Sequence, residues 1–138
     1  MAKTRVVLTR RAFRQGELLF VPLSKEDYSR LLDGRKDATD SGWQRLDTNV
    51  LREGEATGHK HEVISRLAAT AVLFAPPESL AASLPGMDRI TGEDRLLIAD
   101  GPVEIVHPEH KPLTLPKGIH LVIVQREYDE SQSHRVLD

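Results

Sequence analysis

Five of the six histidines fall in two short segments. Gly58-His59-Lys60-His61 carries two, and His107-Pro108-Glu109-His110, running on into Leu115-Pro116-Lys117-Gly118-Ile119-His120, carries three. Imidazole ligates metals and exchanges protons near neutrality, so a fold that joined the segments would concentrate both capacities at one place. If residues 58–64 are extended, the two-residue period puts His59 and His61 on one face and Lys60 on the other. Pro108 keeps the second couplet out of a regular interior strand, so His107 and His110 are expected to flank a turn and converge.

The leading expectation is a metal-binding histidine cluster. His59, His61, His107 and His110 would ligate a divalent transition metal (zinc, iron, manganese or nickel), with oxygen from Glu55, Glu62 or Glu109. In a metal-dependent hydrolase an open coordination position would activate water, with Glu55 or Glu109 as base. An alternative needs no metal. Two of the histidines serve as general base and acid while Lys60, Lys111 or Lys117 stabilises a pentavalent phosphate, the minimum apparatus of an endoribonuclease that uses the RNA's own 2′-hydroxyl. Lys111, Arg126 and Tyr128 are the candidates for holding a small-molecule or RNA substrate. Arg126 suits a carboxylate or phosphate, although Gln125-Arg126-Glu127-Tyr128 also reads as a salt-bridged strand end. The third reading is a non-catalytic binding module or subunit, in which residues 78–90 dock a protein partner or a second copy.

Composition narrows these classes. The chain has no cysteine, which excludes disulfides, thiolate metal sites and cysteine nucleophiles. A formal net charge of -2 argues against wholesale coating of nucleic acid. The opening segment nevertheless carries Lys3, Arg5, Arg10, Arg11 and Arg14 with no acid before Glu17, either a solvated edge or one that contacts phosphate. The polar start and the lack of a long apolar run predict neither a signal peptide nor a membrane span, so a cytoplasmic protein is expected. Gly54 and Gly58 match neither a phosphate-binding loop nor a dinucleotide fingerprint, and no DNA-reading motif is present.

The elements that must position the histidines read as mainly β. Short runs at 4–10, 17–23, 48–52, 95–99, 102–107 and 119–126 carry the β-branched and apolar pattern of strands, with turn signals at Gly16, Asp100-Gly101 and Pro116-Lys117-Gly118. Ser24 and Asp27 have capping-box-like spacing ahead of Tyr28, Leu31 and Leu32, which predicts one short helix ending at Gly34. Residues 66–71 suit helix and strand alike, and 78–86, rich in Ala, Ser and Leu, predict a helical turn or two. The expectation is a β-rich α+β chain with one or two short helices, folded as a small β-barrel or sandwich. It is a single domain over 1–128, with an inserted excursion at about 76–92 and a flexible tail over 129–138.

Two resemblances add to this. His59-x-His61 followed by Pro116-x-Gly118-x-His120 weakly resembles the paired motifs of cupins, which imply a metal inside a β-barrel. Here Glu62 follows His61 directly, and His120 stands one residue closer to Gly118 than in that pattern. More of the chain resembles an uncharacterised family of small bacterial and phage proteins. Its pattern runs Gln-Gly-Asp-Val, then Gly-Glu-Val-Thr-Gly-His-Ala-His, then His-Glu-Glu-His-x-Pro-Ile-x-Leu-Pro-Pro-Gly and Gln-Arg-Glu-Tyr. The matching segments are Gln15-Gly16-Glu17-Leu18, Gly54 to His61, His107 to Gly118 and Gln125 to Tyr128. This resemblance implies that the couplets and the Gln125 to Tyr128 segment belong to one constellation.

Overall fold

The structure, a computed structural model, describes residues 12–54, 58–65, 69–77, 80–84, 87–128 and 133–135, with backbone alone for 80–84, 87–89, 126–128 and 133–135. In chain order the elements are β1 (Phe13–Gln15), β2 (Leu18–Leu23), α1 (Lys25–Leu31), β3 (Gln44–Leu46), β4 (Val50–Glu53), β5 (Lys60–Ile64), β6 (Ala71–Ala75) and β7 (Leu80–Leu84). They continue with β8 (Met87–Ile90), β9 (Arg95–Ala99), β10 (Val103–Val106), β11 (Leu113–Leu115), β12 (Gly118–Val124), β13 (Arg126–Tyr128) and β14 (Ser133–Arg135).

Period-two burial sorts these strands into two antiparallel sheets. One has the order β1-β2-β12-β9-β6-β3 and the other β11-β10-β5-β4. Leu18, Phe20, Leu97, Val122 and Val124 of the first sheet meet Leu51, Val63, Val103, Ile105 and Leu115 of the second in one core. The opposite face of the first sheet, with Leu19, Val21, Leu96, Leu121 and Ile123, is covered by Leu31 and Leu32, Ala38, Trp43 and Ile90. Burial on both faces is why 121–124 is an unbroken apolar run. The second sheet leaves its outer face half exposed, and its strands β5 and β10 alternate accordingly.

Of the two architectures expected, the sandwich stands. The sheets do not close into a barrel, and β1, β3, β4 and β11 remain as edges. Helix α1 starts where its cap predicted, with the Ser24 side chain accepting the Asp27 N–H at 3.1 Å. The helical turns expected within 78–86 are instead strand: β7 pairs antiparallel with β8 as a hairpin and lies against α1. The strand expected at 4–10 lies outside the described residues, and β2 pairs with β1 across the Gly16-Glu17 turn, Gln15 opposite Leu18. Within the segment expected as a tail, Ser133–Arg135 pairs with β13.

Candidate functional site

Strand β5 lies between β4 and β10, and its inward positions are His61 and Val63. His59 precedes the strand, just after Gly58, whose φ of 71° is in the left-handed region. The loop is closed by the Gly54 N–H on the His59 carbonyl at 2.7 Å and the Gly58 N–H on the Gly54 carbonyl at 2.9 Å. On β10, Val103 and Ile105 face inward, and His107, the next inward position, is also buried. Pro108 ends the strand there, and the Glu109 N–H donates to His107 Nδ1 at 3.1 Å, turning the chain back so that His110 returns to the same place.

All four couplet histidines are therefore brought together. The His107 ring centroid lies 4.3 Å from that of His61, 4.4 Å from that of His110 and 5.8 Å from that of His59. The rings of His61 and His110 are nearly parallel, 12° apart in plane with centroids at 5.9 Å. His107 is the hub.

His61, with 0% exposure, is clamped from the first sheet. Its Nδ1 meets Gln15 Oε1 at 2.8 Å and its Nε2 meets Glu17 Oε1 at 2.8 Å. The Gln15 amide is oriented by its Nε2, which donates to the Ile105 and Lys111 carbonyls at 3.0 and 2.9 Å. On Glu17, Oε2 accepts from Arg52 Nε at 3.2 Å, and the same guanidinium donates to Glu93 Oε2 at 2.8 Å. Arg52 reaches this interior through a bulge in β4. Val50 pairs with Glu62 and Arg52 with His61, two steps on β4 against one on β5.

At the rim, His59 Nδ1 pairs with Glu109 Oε1 at 2.9 Å, with 34% of the His59 side chain and 52% of the Glu109 side chain exposed. An imidazole donating from Nδ1 to a carboxylate has Nε2 as its proton acceptor, the arrangement that orients a general base.

Most of the remaining candidates fall elsewhere. Lys60 is exposed on the pleat face opposite His61, so it is not beside the rings. Lys111 is exposed next to His110, and Glu62 is on the outer face of its sheet. Glu55 and the side chains of Arg126 and Tyr128 lie outside the described residues. His120 sits in the first sheet, its Nε2 donating to the Pro116 carbonyl at 3.0 Å and its ring in a T-shaped contact with Phe13. Burial pushes its pKa down from the usual value, while the Pro116 carbonyl opposes the shift. A cleft of about 560 Å³, lined by residues 45–49 and 71–73, contains none of the candidates.

Gln15, Glu17, Arg52 and Glu93 were not among the residues expected to build the site. The visible signal was Gln15-Gly16-Glu17, a polar-Gly-acid turn before an apolar strand. Gln125, the first residue of the last matching motif, joins it directly: its N–H donates to the Glu17 carbonyl at 2.8 Å and its side-chain oxygen accepts from Arg14.

His61 and the Nδ1 of His107 are not placed as metal ligands. A ligating imidazole offers a lone pair, yet both His61 nitrogens face side-chain oxygens and His107 Nδ1 receives a backbone N–H. Among the described residues, no group of three or more His, Asp or Glu side chains is arranged to hold a metal. Among them, too, no helix is long and apolar enough to cross a membrane.

Comparison with curated proteins and with solved structures gave no match. The model of a family described as a domain of unknown function, DUF8820, matches residues 14–125, from the arginine that bonds Gln125 to Gln125 itself, and spans both couplets and the Gln15-Glu17 clamp. The chain belongs to that uncharacterised family.

Proposed function

We propose that the histidine cluster is a metal-independent acid–base site that cleaves RNA through its own 2′-hydroxyl. The observation that carries this reading is the His59–Glu109 pair, in which a partly exposed imidazole has its Nδ1 fixed on a carboxylate at 2.9 Å. His59 Nε2 takes the proton of the 2′-hydroxyl as that oxygen attacks phosphorus. The bond from phosphorus to the 5′-oxygen breaks, and the departing oxygen receives a proton from His110. The products are a 2′,3′-cyclic phosphate and a 5′-hydroxyl end. Lys111, exposed beside His110, supplies the charge for the phosphate. An intracellular RNA would be the substrate of such an enzyme in the cytoplasm.

The test is incubation of end-labelled RNA with the purified chain in excess EDTA. Chelator-resistant cleavage leaving cyclic phosphate ends, slowed about 10²–10⁴-fold by His59→Ala, is the expected result. Cleavage that stops in EDTA and returns with zinc or manganese would favour the metal reading instead. Absence of cleavage with or without added metal would retire RNA as substrate.

A further inference from the structure

We infer that Glu17 and Arg52 are positioning residues that hold His61 as a ring protonated on both nitrogens, so that the site's proton transfers belong to His59 and His110. The state of His61 follows from its partners. Because the Gln15 amide nitrogen donates to two carbonyls, Gln15 presents only an acceptor to His61, and Nδ1 must donate. Arg52 is always charged and donates to Glu17 Oε2, an arrangement that favours Glu17 as a carboxylate, an acceptor at both oxygens, and so assigns Nε2 as a second donor.

Charges then alternate along one chain of contacts: imidazolium at His61, carboxylate at Glu17, guanidinium at Arg52 and carboxylate at Glu93. The series leads from the fully buried ring to the 27% exposed Glu93 side chain. Without the extra residue of the β4 bulge, Leu51 and Arg52 would take opposite faces, and the guanidinium would point to solvent. A ring that donates twice offers no lone pair to a metal or a substrate proton, and its fixed plane supports the parallel ring of His110. The role given to His59 and His110 rests on the acid–base reading above, whereas the state of His61 does not.

Proton NMR of chain labelled with ¹⁵N-histidine tests this directly, because N–H protons on a ring with 0% exposure exchange slowly enough to be seen. Wild type should give two protected ring N–H signals assigned to His61. Glu17→Gln, whose amide can turn its nitrogen to His61, should leave one. Arg52→Gln should also leave one, and Arg52→Lys should restore two. A single His61 ring N–H in wild type would overturn the inference even if no variant folds, as would two in Glu17→Gln. Two signals in wild type with no RNA cleavage would uphold the clamp while removing the catalytic reading.

Discussion

His59 and His61 stand two residues apart, yet the fold gives them opposite assignments. His61 has both nitrogens committed inside the sandwich, while His59 keeps one nitrogen on Glu109 at the rim. Glu109→Gln should therefore slow cleavage through loss of orientation, by less than the roughly 10²–10⁴-fold expected for His59→Ala, with substrate KM little changed in steady-state assays. Glu17→Gln leaves the Arg52 guanidinium short of a buried counter-charge and should destabilise the fold by about 3–5 kcal/mol in urea titration. His120 provides a pH signature of its own. Burial lowers its folded pKa, so the folded state binds fewer protons than the unfolded chain. The stability it contributes is complete above about pH 6.5 and is lost as the pH falls through the lowered folded value. The melting temperature of His120→Gln should fall less than that of wild type between pH 7 and 5. At this scale the location of the cluster was legible, because couplet spacing and Pro108 constrain where the rings go. The clamp was not, since which nitrogen of His61 meets which oxygen depends on Gln15 and Glu17, 46 and 44 residues away.

Elements carry these side chains by local irregularities as much as by regular structure. The β4 bulge turns Arg52 inward, and Gly58 at φ 71° delivers His59 to the start of β5. Gly58→Ala meets no close atom beyond Glu53 Oε2 at 3.7 Å, so its cost is conformational, about 1–2 kcal/mol. Thermal melts should show that loss, and cleavage should fall with it as His59 is displaced. The α1 start was readable because a Ser24 cap is a local feature. The β7–β8 hairpin was not: its Ala, Ser and Leu content suits a helix, and what makes it a strand is pairing across 80–90 and contact with α1. The bulge was equally hidden, since a register shift belongs to two strands and to neither sequence alone.

For the whole molecule, the sandwich explains how two distant couplets become one histidine cluster. β5 and β10 are neighbours in the second sheet, and the clamp that meets them comes from the β1–β2 turn of the first. Core integrity and site geometry are thus one property. Ile105→Ala, at 0% exposure between the sheets, should cost about 2–5 kcal/mol and disturb the Gln15 bond to the Ile105 carbonyl. Val106→Ala, half-buried on the outer face, should cost markedly less, and paired denaturant titrations would show the difference. Mainly β architecture was legible from the spacing of apolar runs. Openness was not, because closure depends on whether edges such as β3 and β4 find each other, and alternation alone is the same in a sandwich and a barrel. In the proposed mechanism the rim imidazole moves a proton without a metal. The most direct measurement is chemical rescue: single-turnover RNA cleavage by His59→Ala in EDTA, with and without free imidazole. Recovery that rises with imidazole at the partly exposed His59 position, and none for the buried His61→Ala, is the predicted result. An unchanged rate in His59→Ala, or recovery with divalent metal and not with imidazole, would contradict the acid–base role of His59.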